Sequence, residues 1–564
     1  MSEIRFDQAP RFAELTAWLH KLASEYPDLV ELGVLGSSHE GRELWIATVT
    51  NRAIGQHLEK PAVWLDGNIH ASETTASVAL VHLLHRLCTG YGVDERVTRA
   101  LDTRTFYIVP RVNPDGAELA LGEVPFIVRS TVREWPRAEQ ADGLIISDVD
   151  HDGRILQMRV ADVNGTWKAS SVDHRLLVPR EPDEDGAGPY YRVFREGRVQ
   201  NYDGVTVPPA VPVHGIDSNR NFPFAWERYP GKAPTGAGDH PMSEPEVRAV
   251  VEGVIARPNI TAYFAYHTFS GVHLRPYGNQ GQDAYPTVDL WTFQDLGERY
   301  TAITGYPAIS ILEDFRYDPK AVIGGTGSDW AYDQVGVISW TTEFWNPMKA
   351  AGIEDSHPIE WFRDHPIDDE FKLLAWVDDH VLDGFVEWYE FEHPQLGPVE
   401  LGGWNSAAVF RNPPPDLLEA EIAPHSELAI FQALTAPELR LRDILVERAG
   451  SGAWRIRVVV ENAGWLPTNV TQMAIDRRAV LPLRADITLP RGAELVTGST
   501  HLDLGQLSGR ALQRSGIGMF AFGSDDTGDR AVAEWVVTAE AGTTCEVEVR
   551  HDRAGVVRVS VDLI

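Results

Sequence analysis

Cysteine is almost absent from this sequence. The 564 residues include two cysteines, Cys88 and Cys545, which lie far apart in the chain. A disulfide framework and a cysteine-based zinc ribbon both need several cysteines at short spacings, so both are excluded.

Basic residues and long apolar runs are also scarce. The chain has 50 Lys and Arg against 82 Asp and Glu, a net charge of −32. This charge argues against nucleic acid or an anionic membrane surface as a partner. We find no apolar run of about eighteen residues, the length that spans a membrane, and the N-terminal "MSEIRFDQAP" lacks the basic and apolar regions of a signal peptide. We therefore expect a cytoplasmic protein without a membrane-spanning segment.

The order of strand-like and helix-like segments predicts an α/β domain over residues 1–392. Alternation of the two types indicates a parallel or mixed sheet covered by helices on both faces. Residues 120–214 interrupt this alternation and are interpreted as a large insertion with some β structure. The segment "DDEFKLLAWVDDHVLDGFVEWYEF" is predicted to be one long helix that closes the domain near residue 392.

The composition changes after this helix. Residues 393–437 are interpreted as a connector that contains a helix, and residues 438–564 show short alternating strands separated by Gly, Asn, Asp and Pro. In the last of these strands Val557, Val559 and Val561 share one face, as in a half-buried strand. Such strands predict a C-terminal β-sandwich.

Three residues are candidate metal ligands. His70 and Glu73 follow the strand-like "AVWLDGN" and precede a helical pattern, and His267 follows the strand-like "ITAYFAY". Ligands on α/β sheets gather at the carboxyl ends of strands. Two histidines and a glutamate form a known catalytic zinc set that leaves the fourth position for water. Helix capping by Glu73 and a purely structural His267 are the plain alternatives.

Two further segments carry charged side chains of interest. Glu343 lies in a strand-like run with Trp340 and Phe344, and apolar surroundings raise the pKa of a carboxyl and make it a better base near neutrality. Asn219 and Arg220 offer an amide and a planar guanidinium that suit a carboxylate, although Arg220 is equally typical of a surface ion pair.

These segments together resemble the zinc metallocarboxypeptidases of the carboxypeptidase A type over residues 5–392. The resemblance rests on motifs that occur in the order of that family, namely "GNIHASE", "VPRVNPDG", "GIDSNRNF", "AYHTFSG", "GSDWAYDQ" and "WTTEFW". It implies a mixed eight-stranded sheet flanked by helices and hydrolysis of a peptide bond next to a free carboxylate. It also implies that His70, Glu73 and His267 bind Zn²⁺, that Asn219 and Arg220 hold the substrate carboxylate, and that Glu343 is the general base.

Several positions depart from the family pattern. Ser72 stands where the family usually has an arginine, and Phe269 stands where it commonly has a tyrosine. The capping tyrosine expected near residues 321–322 is missing, which leaves Tyr317 as a candidate. Ser328, the position often at the base of the side-chain pocket, indicates neither a basic nor a large aromatic preference. For the arginine that stabilises the oxyanion, the candidates are Arg129 and Arg133.

The insertion contains a second candidate metal site. In "DVDHDGRI" the alternating Asp148, Asp150 and Asp152 resemble the first half of a calcium loop. The twelfth position of a true EF-hand would be a glutamate, and here it is Arg159. A structural Ca²⁺ site and an Asp/Gly-rich hairpin turn are equally compatible with this segment.

Other functions remain open at this point. An amidohydrolase of the same fold would act on a cell-wall peptide or an isopeptide, and a catalytically silent protein would use the zinc site or the pocket to hold a ligand. A third hypothesis makes the β-sandwich a recognition module. The presence of all three ligand candidates together with Glu343 favours an active enzyme with a peptide-like substrate.

Overall fold

The computed structural model describes residues 3–135, 141–186, 188–211, 215–229, 236–316, 318, 320–354, 356–357, 359–512 and 526–564. No helix within these ranges is both long and apolar enough to cross a membrane.

The chain begins with alternating helices and strands. These are helix α1 (Phe12–Glu25), strands β1 (Val30–Ser37), β2 (Glu43–Val49) and β3 (Ala62–Gly67), helices α2 (Thr75–Gly90) and α3 (Glu95–Thr103), strand β4 (Thr105–Val109) and helix α4 (Pro114–Ala120). The next segment consists of short strands, namely β5 (Gly143–Ile146), β6 (Gln157–Ala161), β7 (Trp167–Ala169), β8 (Leu177–Pro179), β9 (Tyr191–Arg195) and β10 (Gly197–Gln200).

Alternation resumes after the insertion. The elements are helix α5 (Pro245–Ile255), strands β11 (Ile260–Thr268) and β12 (Val272–Arg275), helix α6 (Thr287–Thr304), strand β13 (Ala308–Ser310), helices α7 (Ile311–Asp314) and α8 (Gly327–Trp330), strand β14 (Ile338–Phe344), and helices α9 (Pro347–Ala350) and α10 (Ile367–His380). They are followed by strands β15 (Phe385–His393) and β16 (Gly397–Trp404) and helices α11 (Ser406–Val409) and α12 (Pro415–Thr435).

The C-terminal part is almost entirely β. It contains strands β17 (Leu439–Gly450) and β18 (Ala453–Asn462), helix α13 (Gln472–Asp476), and strands β19 (Arg484–Thr488), β20 (Glu494–Thr497), β21 (His501–Asp503), β22 (Arg530–Thr538), β23 (Thr544–His551) and β24 (Gly555–Asp562). Among the described strands, β17-β18-β22-β20 and β21-β19-β23-β24 form two sheets. Side chains from both sheets, such as Trp535 and Val547, share one buried core, which is the arrangement of a β-sandwich.

The central sheet of the described chain has eight strands in the order β1-β2-β4-β3-β11-β14-β12-β13. Strands β4, β3, β11 and β14 run parallel to one another. The pairs β1–β2, β2–β4 and β12–β14 are antiparallel, and β13 at the edge runs parallel to β12. The sheet is therefore mixed. Its parallel centre places the carboxyl ends of β3, β11 and β14 side by side, because β11 pairs with both of the others.

Both faces of this sheet are covered by helices. Within β3, Val63 and Leu65 belong to the core that contains α2, and Trp64 belongs to the core that contains α5. Alternate side chains of a strand point to opposite faces, so a strand buried on both faces is apolar throughout. The expected fold, a mixed eight-stranded sheet flanked by helices with additional C-terminal β-sheets, is confirmed.

The segment before residue 392 differs from the long helix that we expected. Helix α10 ends at His380, and Phe385–His393 forms strand β15 instead. Gly384 separates the two elements, and Phe385, Val386 and the aromatic residues that follow favour a strand. The helical periodicity of "DDEFKLLAWVDDH" did not extend into this aromatic run.

The insertion and the segment after α10 form one structural unit. Strands β15 and β16 pair with each other and β16 pairs with β6, giving a sheet in the described chain with the order β15-β16-β6-β9-β7-β8. Helix α12 packs against α2 and α6, on the face of the central sheet that carries Val63. The residues that sequence reasoning interpreted as a connector therefore contribute a strand to the insertion sheet and a helix to the core on one face of the central sheet.

Candidate metal centre and active site

The carboxyl ends of β3 and β11 bring the three predicted metal ligands together. His70 and Glu73 lie in the loop between β3 and α2, and His267 lies near the end of β11. Their donor atoms all lie within 4.8 Å of one another, and the three residues are buried. The sequence separation of 194 residues between Glu73 and His267 is closed by the pairing of β3 with β11.

The loop that carries His70 is held by its neighbours. Asn68 adopts a left-handed conformation with φ 56°, and its side-chain amide donates to the carbonyl oxygens of His70 and Ala71 at 2.7 and 3.1 Å. Ser72 Oγ accepts from the backbone N–H of Val128 at 2.6 Å. Ser72, which stands where the family usually has an arginine, therefore holds the 126–129 segment against the ligand loop.

The donor atoms of the cluster fit a tetrahedral metal ion. His70 Nδ1 and His267 Nδ1 lie 3.1 Å apart. His70 Nδ1 lies 2.9 Å from Glu73 Oε1, and His267 Nδ1 lies 2.9 Å from Glu73 Oε2. Zinc–nitrogen bonds of about 2.0–2.1 Å give a tetrahedron edge of roughly 3.3 Å, close to these separations. Two histidines and a carboxylate also form an established donor set for catalytic zinc. The residues therefore fit Zn²⁺.

The two histidines of the cluster stabilise the ionised form of Glu73. Burial alone would raise the pKa of Glu73, but His70 and His267 outweigh it, so that the pKa of Glu73 is lowered and the carboxylate stays ionised. An ionised carboxylate is the form that binds a cation.

Asp217 supports this cluster, and sequence reasoning did not single it out. Its carboxylate lies 3.2 Å from His70 Nε2 and accepts from Arg129 Nε at 2.7 Å. Burial would raise the pKa of Asp217, whereas Arg129, Arg220 and His70 lower it well below its usual value. A carboxylate on the second ring nitrogen fixes the tautomer and orientation of a metal-binding histidine. Its only sequence signal was its place in "GIDSNRNF".

Glu343 stands beside the cluster at the end of β14. It lies directly opposite His267 in the parallel pairing of β11 with β14. The other residues of β14 are buried, and Glu343 is half-buried. Loss of hydration raises the pKa of its carboxyl to about 7, with His267 lowering and Glu73 raising that pKa. A half-buried carboxyl with this pKa suits proton transfer near neutrality.

Asn219 and Arg220 lie on a short helical turn after Asp217. Asn219 Oδ1 accepts from the backbone N–H of Gly327 at 3.0 Å, which brings the turn to the start of α8, where Ser328 is buried. Gly325 has φ +70°, and a Cβ there would lie 2.2 Å from the carbonyl oxygen of Arg220. This close approach requires glycine. Asn219, Arg220 and Ser328 are therefore brought together.

The two candidate oxyanion arginines have different surroundings. Arg129 contacts Asp217 and is among the charges that lower the pKa of Glu343. Arg133 instead pairs with buried Glu244 at 2.8 Å and with Asp239 at 3.5 Å. Because its guanidinium is held by these carboxylates, the structure does not bring Arg133 to the metal cluster. Tyr317, the candidate capping residue, lies outside the described residues.

The acidic loop of the insertion forms a hydrogen-bonded turn. Asp148, Asp150 and Asp152 have donor atoms within 4.8 Å of one another. Asp148 accepts from the N–H groups of His151 and Gly153, and Asp152 accepts from that of Arg154. Asp150 accepts from the N–H of Asp152 within the turn and from the hydroxyl of Tyr389 outside it.

Segments outside the predicted motifs also reach the site. Asn412 Oδ1 accepts from the N–H of Thr75 at 3.0 Å, and its amide donates to Ser72 O at 2.9 Å. Arg411 Nη1 lies 3.8 Å from Glu73 Oε1. Sequence reasoning missed both residues, because they lie 337 or more positions from the loop they contact and belong to no motif.

Comparison with known proteins places most of this domain in one family. The zinc carboxypeptidase family model matches residues 15–356, and a model of a domain of unknown function matches residues 438–562. Zinc carboxypeptidase A 1 of Anopheles gambiae is 24% identical over 341 residues, covering 58% of this chain and 58% of that protein. The zinc carboxypeptidase of Simulium vittatum is 26% identical over 341 residues, covering 58% of this chain and 83% of that protein.

Among solved structures, the carboxypeptidase A of Helicoverpa armigera is 17% identical, with a TM-score of 0.40, and covers 66% of this chain and 73% of that chain. The sequence match with the Anopheles protein spans little more than half of that protein's length. Because the family model matches more than half of the sequence, this chain belongs to the zinc carboxypeptidase family.

Proposed function

We propose that this protein is a zinc-dependent carboxypeptidase that hydrolyses the amide bond next to a free carboxylate and releases C-terminal amino acids. The observation that carries the proposal is the convergence of His70, Glu73 and His267 beside half-buried Glu343. A silent relative has no need to keep a base next to three ligands.

Each part of the site has a role in this reaction. Asn219 and Arg220 bind the terminal carboxylate of the peptide, since a guanidinium forms paired hydrogen bonds with a carboxylate. Ser328 borders the space for the terminal side chain. A Zn²⁺ held by His70, Glu73 and His267 would polarise the scissile carbonyl and lower the pKa of a water.

Proton transfer falls to Glu343. Its carboxylate takes the proton from the attacking water and later delivers it to the leaving amine. Arg129 is our candidate for stabilising the negative charge that develops on the carbonyl oxygen. Its contact with Asp217 joins this arginine to His70 through one carboxylate.

Metal analysis combined with peptide hydrolysis tests the proposal. We expect about one zinc per chain, release of C-terminal residues from a peptide library by the wild type, and loss of release in Glu343→Gln with zinc retained. Zinc without any release would favour an amidohydrolase that acts on a cell-wall peptide or an isopeptide. Protein that binds no zinc would instead favour a silent binding protein.

The calcium site stays a prediction. Backbone N–H groups donate to Asp148 and Asp152, but a carboxylate keeps further lone pairs for an ion, so the calcium loop and the hairpin turn are both compatible with these contacts. An unchanged melting temperature in millimolar Ca²⁺ would favour the hairpin turn. A stabilisation by Ca²⁺ that is lost in Asp150→Asn would establish the site. The cytoplasmic location is likewise retained as a proposal.

A further inference from the structure

The segment that contains Arg411 lies beyond residue 356, where the family match ends. It is nevertheless fixed to the active site at several points. Asn412 binds the ligand loop and the start of α2, and the carbonyl oxygen of Val409 accepts from Trp345 Nε1 at 2.8 Å. Trp345 follows the strand of Glu343 by one residue, so Arg411 is held between the ligand loop and the base strand.

The side chain of Arg411 is directed at the metal cluster. Its Nη1 lies 3.8 Å from Glu73 Oε1 and 3.5 Å from the carbonyl oxygen of Thr268. Its guanidinium lies 5.2 Å from the ring centroid of Phe269, which in turn contacts Phe362 edge-on. An aromatic face restricts the orientation of a guanidinium. The side chain is 24% exposed, so a ligand can reach it.

The charge of Arg411 is only weakly matched by the protein. Within the described residues, Glu73 is the carboxylate paired with it, at 3.8 Å, longer than a hydrogen bond. The oxygens of Glu73 also face His70 and His267 at 2.9 Å, and metal binding would engage them further. Arg411 is therefore left with donor groups that can bind an anion from the substrate.

A small cavity beside Arg411 leaves room for such an anion. Its volume is about 170 Å³, and its lining includes Ser72, Phe126, Ala407 and Arg411. One water molecule occupies about 30 Å³ in the liquid, so the cavity can accommodate the end of an aspartate or glutamate side chain.

This arginine is separate from the pair proposed to hold the terminal carboxylate. The charge of Arg220 lowers the pKa values of Asp217 and Asp329, whereas Arg411 contacts Glu73 and Thr268. If the terminal carboxylate is at Arg220 and the scissile bond is at the metal cluster, a group that reaches Arg411 lies on the acyl side of that bond.

We infer that Arg411 is a specificity-determining residue that binds a carboxylate on the acyl side of the scissile amide, so that the preferred substrates are acidic peptides. This inference rests on the proposed carboxypeptidase function. It assigns a role to a residue outside the family match and adds a second anion-binding group to the proposed active site.

The test compares two peptides that differ by one charge. N-acetylated peptides ending in Glu-Ala-Phe or Gln-Ala-Phe are assayed at pH 8 with the zinc-loaded wild type, Arg411→Gln and Arg411→Lys. The wild type is expected to favour the Glu peptide in kcat/KM by roughly ten- to a hundredfold, the size of a hydrogen-bonded charge interaction. In Arg411→Gln the ratio of the two kcat/KM values is expected to fall to about one, whatever the change in the rate for the Gln peptide, and Arg411→Lys is expected to keep part of the preference.

Arg192→Gln is the matched control, because this arginine lies on the insertion sheet and pairs with Asp162 at 2.6 Å, away from the cluster. Binding of both peptides to zinc-loaded Glu343→Gln, with and without Arg411→Gln, gives a second measurement that needs no turnover. A wild type that hydrolyses both peptides equally, or an equal loss for both in Arg411→Gln, would overturn the inference. Hydrolysis of neither peptide by the wild type would count against the proposed function itself, and the binding ratio would then decide the role of Arg411 alone.

Discussion

Asp217 connects a metal ligand to an arginine through one buried side chain. Asp217→Asn removes the charge that faces His70 Nε2 at 3.2 Å and Arg129 Nε at 2.7 Å. Partners of this kind typically account for ten- to a hundredfold in metal affinity, and we expect a loss of about that size. Competition with a zinc chelator measures it.

The control for this measurement is Asp239→Asn, which changes a half-exposed aspartate that pairs with Arg133 and Arg228. An unchanged zinc affinity in Asp217→Asn would mean that packing alone orients the imidazole of His70.

The pKa of Glu343 determines how the activity is expected to depend on pH. Burial raises its pKa to about 7 from the usual 4.5, and the carboxylate form is the base, so activity is lost as the pH falls through this pKa. A bound cation would lower the pKa, which places the expected midpoint of the acid limb of kcat/KM between 4.5 and 7. Circular dichroism over the same pH range separates titration from unfolding. A midpoint below 4.5 would contradict the role of burial.

At the level of single residues, the sequence predicted the site residues that follow the family motifs and missed residues whose role depends only on contacts in the folded chain. His70, Glu73 and His267 follow strand-like segments and Glu343 lies within one, so their convergence could be anticipated from the sheet. The part played by Arg411 depends on the path of the chain after β16. No local pattern encodes that path.

Asn412 joins two elements that are distant in sequence. Its Oδ1 accepts from the N–H and the hydroxyl of Thr75 at the start of α2, and its amide donates to Ser72 O. Asn412→Ala is expected to lower the free energy of unfolding by about 1–2 kcal/mol, as for the loss of a helix cap. It should also reduce the preference for the Glu peptide, because the segment carrying Arg411 is released. Urea unfolding and the kcat/KM ratio of the two peptides measure these effects.

Asn412→Asp separates the two functions of this side chain. It keeps the acceptor for Thr75 but places a carboxylate oxygen against the carbonyl oxygen of Ser72, so it should release the ligand loop while the start of α2 keeps its acceptor. Equal stability of the wild type and Asn412→Ala would show that the segment is held instead by Val409, which accepts from Trp345, and by Phe410, which packs against Phe362 and Trp404.

At the level of elements, the alternating strands and helices of the central sheet were predictable from their apolar periods. The change from α10 to β15 was not, because Val377 and Val386 occur in equally apolar surroundings and only Gly384 marks the boundary. Strand β15 is stabilised by its pairing with β16, a contact that its own sequence does not specify.

The C-terminal sandwich and the catalytic domain share a buried arginine. Arg553 is 2% exposed and donates to the carbonyl oxygens of Val335 and Gly336 at 2.6 and 2.8 Å. Gly336 has φ +71°, and a Cβ there would lie 2.5 Å from Ala474 Cα. The β-sandwich itself was predictable from alternating residues such as Val557 and Val559. Its attachment was not, since it depends on backbone carbonyl groups.

This attachment predicts that the sandwich stabilises the strand that carries the base. Gly336 precedes β14 by two positions, so loss of the Arg553 contacts should loosen the entry to that strand. Arg553→Ala leaves buried carbonyl groups without a charged donor, and we expect the free energy of unfolding to fall by about 3 kcal/mol. Activity should be lost at lower urea concentration than in the wild type. Arg550→Ala, which removes an exposed arginine near Glu548, is the matched control. If activity in Arg553→Ala persists to the same urea concentration as in the wild type, then the catalytic domain does not depend on this contact, and the sandwich must serve a purpose other than support of β14.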